Sequence, residues 1–256
     1  MKKIFVFIGD TIIDWLIKIG GSLFPEKAIE LIDSLKNLKE SNGINCLIVT
    51  GGGEFANLIR KYDNKINFSN DITHETAIDS MDIMAKLLND KFEFTELVYS
   101  FKDAKKASNN GKIPILACSV ILKDNDEIPH TWNLTSDSIS AYVANILKAK
   151  LLIATNVEGI YTRKPTSVKA KFIHKIDAKK LLTFEETSVD LMLGELLLKF
   201  GMNCFVTNGN FPERVLSLIE GNSNSEITNH NFNESTDSYN NEKNSYNFKY
   251  TLIQGE

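Results

Sequence analysis

Short, predominantly apolar runs recur along this chain, each closed by glycine or polar turn residues and followed by a stretch with helical spacing. They are Trp15 to Ile19 before Gly20-Gly21-Ser22, Cys46 to Val49 before Gly51-Gly52-Gly53, Ile113 to Leu122, Leu151 to Ala154, and Cys204 to Val206. A strand with one wet face alternates apolar and polar residues, whereas a strand that is apolar throughout has protein on both sides. Between the runs, Lys27 to Lys39 carries Ile29, Leu31-Ile32, Leu35 and Leu38, and Thr73 to Leu88 carries Ala77-Ile78, Met81, Met84-Ala85 and Leu88. Spacings of three and four put each set on one helical face. The pattern predicts an α/β fold with a mostly parallel sheet covered by helices on both faces.

A sheet of that kind needs a large core, and 256 residues with 43% hydrophobic and 24% charged side chains supply one. Collagen, coiled coil and wholesale disorder are excluded. Lys plus Arg number 29 against 33 Asp plus Glu, and no clustered basic run exists for a phosphate backbone, so nucleic acid is not an expected partner. Cys46, Cys118 and Cys204 are odd in number, widely spaced and each inside an apolar run, which predicts small buried thiols. At the start, Ile4 to Ile8 follows two lysines but is cut by Gly9-Asp10, short of the roughly 7–15 residues of a signal-peptide core. With no run near the ~20 apolar residues of a membrane span, the expectation is a cytoplasmic protein. Residues 222–247 are dominated by Asn, Ser, Thr and Glu and cannot bury enough apolar surface to offset ordering entropy. They read as a disordered insertion before a final strand, Phe248 to Ile253, or as the start of a disordered tail. No internal repeat or clear linker appears, which leaves one or two lobes open.

Four motifs carry chemistry. In Ile17-Lys18-Ile19-Gly20-Gly21-Ser22 a lysine at the end of a strand runs into a glycine pair, where backbone N–H groups can approach a phosphate closely. The same residues also suit a plain turn. The signatures of a P-loop and of a dinucleotide-binding loop are both absent. In Val49-Thr50-Gly51-Gly52-Gly53-Glu54 three glycines follow another strand; two such turns at the carboxyl edge of one parallel sheet lie where α/β ligands bind. The third motif, Pro129 to Ser138, ends in Thr135-Ser136-Asp137. Thr135 or Ser136 suits a helix N-cap, and Asp137 is either a capping acid or the partner that aims Lys18. The fourth is Thr155-Asn156-Val157-Glu158-Gly159-Ile160-Tyr161, a strand, a glycine turn, then Lys164.

Taken in order, these motifs and the closing Tyr250-Thr-Leu-Ile253 resemble the amino acid kinase superfamily. The resemblance covers Trp15 to Glu220 plus the last strand. It implies a three-layer αβα sandwich around a sheet of roughly eight strands, with an acceptor-binding lobe over residues 1–134 and a lobe over 135–256 that binds ATP with Mg2+. By the same resemblance Lys18 neutralises the phosphoryl group in transfer and Asp137 organises it. Gly20, Gly21, Ser22, Thr155, Asn156, Gly159, Tyr161 and Lys164 serve the nucleotide, and Gly51, Gly52 and Gly53 serve the acceptor. No side chain is assigned as a metal ligand. Two departures stand out: Asn156 replaces a usual carboxylate, and a second phosphate-binding lysine is missing where expected, with Lys123 and Lys164 both open as substitutes.

Within the superfamily, Gly51 to Arg60, His74-Glu75, Ile121 to Asp124 and Glu127 to Ser138 resemble the branch that phosphorylates an aminomethylfuran phosphate to its diphosphate in methanofuran biosynthesis. Such an acceptor carries an ammonium, a flat ring and a phosphate. Glu75, Asp79 and Asp82 are the expected partners of the ammonium, Trp132 of the ring or the cation, and Arg60 or His130 of the phosphate. Kinases of other small phosphates or carboxylates, and a binding or storage protein on the same fold, are the alternatives. The resemblance also implies a homo-oligomer and a single small-molecule phosphate acceptor as partners. Lys18→Ala is expected to cut turnover by orders of magnitude with folding intact.

Overall fold

The central strand shows how the sheet is built. In the computed structural model, which describes residues 12–122, 129–163, 165–184, 187–223 and 248–255, strand β1 (Trp15–Ile19) is buried along its whole length. Because side chains alternate across a strand, Trp15, Ile17 and Ile19 enter one hydrophobic core and Leu16 the other. The neighbouring strands β2 (Cys46–Thr50) and β5 (Lys150–Thr155) repeat this: Leu47, Val49, Leu151 and Ile153 join Leu16, while Ile48, Leu152 and Ala154 join Ile17. Both pair parallel with β1, Ile17 lying opposite Ile48 and Leu152.

Further out lie β3 (Thr95–Val98) and β4 (Ile113–Leu116) on one side. On the other are a two-stranded ribbon, β6 (Ile160–Tyr161) with β7 (Phe172–Ile173), and the strands β8 (Lys175–Asp177), β9 (Cys204–Asn208) and β10 (Tyr250–Gln254). The order is β3-β4-β2-β1-β5-β9-β10-β8. β10 runs antiparallel to β9 and parallel to β8, so only these last two strands oppose the rest.

The helices, in chain order, are α1 (Glu26–Asn42), α2 (Gly53–Ile66), α3 (Asn70–Asn89), α4 (Phe101–Asn109), α5 (Ser119–Leu122), α6 (Ser136–Leu147), α7 (Ala178–Leu181), α8 (Leu191–Phe200) and α9 (Pro212–Ser223). α1 and α9 cover the Ile17 face, and α6 and α8 with the Ile78–Met81 side of α3 cover the Leu16 face, giving the expected three layers. α1 follows its periodicity, burying Leu31, Ile32, Leu35 and Leu38, and ends where Gly43 takes the left-handed conformation at φ 66°. α3 begins earlier than its apolar pattern because Ser69 caps it by accepting from Ile72 N–H at 3.4 Å.

Two expectations change. The run Ile113 to Leu122 is not one strand: β4 stops at Leu116, and α5 starts at Ser119, whose backbone N–H and hydroxyl both bond Asp82. The polar stretch does not begin at residue 222, because Asn222 and Ser223 complete α9, with Asn222 Nδ2 donating to Leu218 O and the Ser223 hydroxyl to Ile219 O. Residues 224–247, the remainder of the expected insertion, lie outside the described residues, as do residues 1–11, Lys123 and Lys164. The final strand falls as expected. The three cysteines are free and fully buried, and burial pushes the thiol of Cys46 up to about 12 and those of Cys118 and Cys204 upward as well. Among the described residues, no helix is long and apolar enough to cross a membrane.

Candidate active site

Lys18 is the one charged residue of β1, and it stands on the Leu16 face, where α6 packs. Asp137, in the first turn of α6, meets it there: Lys18 Nζ lies 2.6 Å from Asp137 Oδ1, with the two side chains 9% and 8% exposed. The contact is a charge pair by distance rather than an aligned hydrogen bond, and Oδ1 accepts none. A buried carboxylate beside a buried ammonium holds the lysine in place by charge.

The two readings of Asp137 are separated by a residue the sequence did not single out. Asp190, the N-cap of α8, accepts from Leu193 N–H at 2.9 Å. Its other oxygen takes Thr135 N–H at 2.9 Å, the Thr135 hydroxyl at 2.8 Å and Ser138 N–H at 3.0 Å, so one carboxylate caps two helices. Thr135 occupies the N-cap position of α6 but makes no side-chain cap bond of its own. Asp137 is therefore released from capping and pairs with Lys18, and among the described residues its Oδ2 accepts the Asp190 N–H at 3.2 Å. Burial first, and Asp137 second, push the Asp190 carboxyl above the usual carboxylate range, against the opposing pull of its hydrogen bonds. The sequence signal for this residue was an Asp directly before the apolar run Leu191-Met-Leu.

At the carboxyl ends of β1 and β2 the two glycine turns touch each other. Gly20 N–H donates to Ala154 O and Gly51 N–H to Ile19 O, both at 2.8 Å. A Cβ on Gly21 would collide with the backbone of Gly53, and one on Gly51 would lie 2.8 Å from Gly21 N. Backbone contact between the loops thus requires glycine at Gly21, in addition to any ligand. Gly53 also needs it for its φ of 56°.

Beside these turns opens a cleft of about 470 Å³. Its walls come from the turns (Gly21, Ser22, Gly51, Gly52, Gly53), from one face of α2 (Glu54, Ala56, Asn57, Arg60), from α3 (His74, Ala77, Ile78, Met81) and from Trp132 to Ile139. The expected acceptor residues are only partly gathered there. Arg60 and Trp132 line it, with the Arg60 guanidinium 4.6 Å from the Trp132 ring centroid and Trp132 Nε1 donating to Asp63 at 2.8 Å. The ring face expected to take a ligand cation is thus met by Arg60 of the chain itself. His130 lies outside the lining; its Nδ1 is 2.6 Å from Asp71, and its ring stacks at 4.5 Å on His74, which does line the cleft. Burial, then His130, lowers the His74 pKa, while Asp71 pulls the other way.

The acidic residues of α3 are placed apart from this lining. His74, Ala77, Ile78 and Met81 face the cleft, whereas Glu75, Asp79 and Asp82 fall about 100° further round the helix and do not line it. Asp82 is buried against Ser119, where it ties α3 to the end of β4.

On the other side of β1, Thr155 ends β5 and is buried, with its carbonyl accepting Gly209 N–H at 2.7 Å, and Asn156 beyond it is exposed. Gly159 takes φ 148°, and a Cβ there would lie 2.5 Å from the Thr251 hydroxyl, which itself accepts Ile160 N–H at 2.8 Å. The closing strand thereby fixes the ribbon that carries Tyr161, whose ring meets Phe172 edge-on. Burial and Glu158 raise the Tyr161 pKa. Glu158 pairs with Arg214 and accepts from Asn208 Nδ2 at 3.1 Å. Arg214, its guanidinium 4.0 Å from the Phe211 ring centroid, is a cation at this edge that the motifs did not reveal. Lys164 cannot be placed, being outside the described residues.

Comparisons with known proteins bear on the family and the fold. A model described as the amino acid kinase family matches residues 15–208. The chain is 39% identical over 207 residues to [5-(aminomethyl)furan-3-yl]methyl phosphate kinase of Methanocaldococcus jannaschii, covering 80% of this chain and 93% of that one. It is 30% identical to the uridylate kinase of Methanococcus vannielii, over 81% and 96% of the two chains. Among solved structures, uridylate kinase from Archaeoglobus fulgidus superposes with a TM-score of 0.62 at 19% identity, covering 81% of this chain and 96% of that one. UMP kinase from Ureaplasma parvum gives 0.66 at 18%, covering 95% and 99%, and these two likenesses speak for the fold alone.

Proposed function

The chain belongs to the amino acid kinase family, and from that premise we propose that it transfers the γ-phosphoryl group of ATP to [5-(aminomethyl)furan-3-yl]methyl phosphate, giving the diphosphate. The observation that carries the reaction class is the buried Lys18–Asp137 pair, with Lys18 two residues before the Gly20-Gly21 turn. The 39% identity to the furan-phosphate kinase over nearly all of that protein's length supports the acceptor.

In this reading the cleft beside Gly51, Gly52 and Gly53, in the lobe of residues 1–134, takes the acceptor. The lobe of 135–256, with Thr155, Asn156, Gly159 and Tyr161, takes the nucleotide together with Gly20, Gly21 and Ser22. An oxygen of the acceptor phosphate forms the new bond to γ-phosphorus as the bond to the leaving ADP oxygen breaks. Lys18 sits where that charge accumulates, and Asp137 keeps its ammonium on station. Arg60 and His74 border the cleft as donors for the acceptor phosphate. Catalysis of this kind is mostly positioning and charge neutralisation.

The glycine turns suit phosphate oxygens because no side chain there holds a ligand away from the backbone. Magnesium, when bound, supplies further neutralisation of phosphate charge. In this reading the ion arrives on the nucleotide. A homo-oligomer in the cytoplasm completes the reading. The stripe Phe55, Leu58, Tyr62 and Ile66 on the outer side of α2 is exposed apolar surface that an assembly would cover.

The test is ADP release with Mg-ATP against the furan phosphate, UMP, isopentenyl phosphate, acetylglutamate and aspartate. Turnover of the furan phosphate far above the others supports the reading. UMP turned over in its place would move the chain to the uridylate kinases, the second reading that 30% identity keeps in view.

A further inference from the structure

An acceptor that carries both a phosphate and a primary ammonium calls for a carboxylate as well as a cation at its cleft, and the acidic residues the sequence offered stand outside the cleft lining. Glu75, Asp79 and Asp82 do not line the cleft. The Trp132 ring face, the other cation-binding surface, already carries the Arg60 guanidinium. Among the described residues lining the cleft, one is acidic: Glu54.

Glu54 follows the third glycine and stands in the first turn of α2. The helix turns Gly53, Ala56, Asn57 and Arg60 toward the cleft, and Glu54, an exposed residue, lines it with them. Its carboxylate is exposed, and among the described residues no ion pair or hydrogen bond engages it. The cleft lining is thus mixed in charge, with the Arg60 guanidinium against the Trp132 ring and one carboxylate in the first turn of α2. The helix dipole explains why an acid is tolerated in a first turn; it does not explain an acid on the cleft-facing rim with no protein partner.

We propose that Glu54 is the residue that selects an amine-bearing acceptor, by pairing with its ammonium while the phosphate is held elsewhere in the cleft. This rests on the functional reading above and goes beyond it by naming the specificity-determining side chain. Glu54 acts on binding rather than on the transferring group, so its removal raises KM and leaves kcat close to unchanged. A charge-assisted bond at a partly wet rim sits at the low end of its range, so the expected loss is about tenfold in kcat/KM, roughly 1.4 kcal/mol.

The experiment compares full-length wild type, Glu54→Gln and Glu75→Gln with Mg-ATP and two acceptors: the aminomethylfuran phosphate and the same phosphate with methyl in place of aminomethyl. Wild type should prefer the amine-bearing acceptor. Glu54→Gln should lose about tenfold in kcat/KM on that acceptor, through KM, with no loss on the methyl analogue. An equal loss on both acceptors, or none on either, overturns the inference while the furan-phosphate reading stands. A loss confined to Glu75→Gln would assign the ammonium to α3 and overturn it too. Turnover of neither acceptor by wild type would overturn the functional reading itself, and the inference with it.

Discussion

Replacing Lys18 with methionine separates the two things its ammonium does. The lysine is 9% exposed and 2.6 Å from an equally buried carboxylate, and the second carboxylate of Asp190, with its raised pKa, lies behind that one. An exposed lysine would leave folding untouched, as the sequence alone suggested. The burial corrects this: removing one member of a buried pair leaves an uncompensated charge and costs about 3–5 kcal/mol. Independently, loss of one preorganised charge contact to the transferring group raises the barrier by about 2.7–4 kcal/mol, or 10²–10³-fold in kcat. The double variant Lys18→Met/Asp137→Asn removes the orphaned charge as well, so it should regain most of the lost stability while remaining as inactive as the single variant. Urea unfolding followed by circular dichroism reads the first quantity and ADP release the second. Lys18→Met unfolding within about 1 kcal/mol of wild type, or a double variant no more stable than the single one, would refute the buried-charge reasoning. Near-normal turnover by Lys18→Met would refute the catalytic role.

Two further outcomes follow from the contacts around the cleft. Gly21→Ala should lower stability by about 1–3 kcal/mol and depress turnover, because its Cβ collides with the Gly53 backbone and forces the two turns apart; an unchanged urea midpoint would show that the turns can separate freely. Asp82→Ala should destabilise by about 1–3 kcal/mol through the unpaired Ser119 N–H and hydroxyl, yet leave KM for the acceptor unchanged among molecules that remain folded; a raised KM would return Asp82 to the acceptor site.

The sheet was legible because predominantly apolar strands such as Cys46 to Val49 and Leu151 to Ala154 belong in an interior, and because the helices between them keep one periodicity. Lys18 and Asp137 could be paired from their motifs, and the structure brings them to 2.6 Å. What the sequence could not settle was helical phase. Glu75, Asp79 and Asp82 share a face, but whether that face meets the cleft depends on rotation by one residue, which apolar spacing resolves poorly when Ile78 and Met81 lie so close to it. Asp190 was hidden for another reason: its capping of α6 is a contact across more than fifty residues of sequence, visible locally only as the N-cap of α8. Competition also escaped the sequence, since Trp132 was available to a ligand cation until Arg60 was seen over its ring.

The central claim is phosphoryl transfer onto an existing phosphate with Lys18 at the point of charge accumulation. Phosphorus NMR of the wild-type reaction with Mg-ATP and the furan phosphate tests it most directly. The account predicts that the acceptor's single monoester resonance is replaced by the coupled pair of a diphosphate in step with ADP, and that Lys18→Met produces neither. ADP accompanied by inorganic phosphate, with the acceptor resonance unchanged, would contradict it.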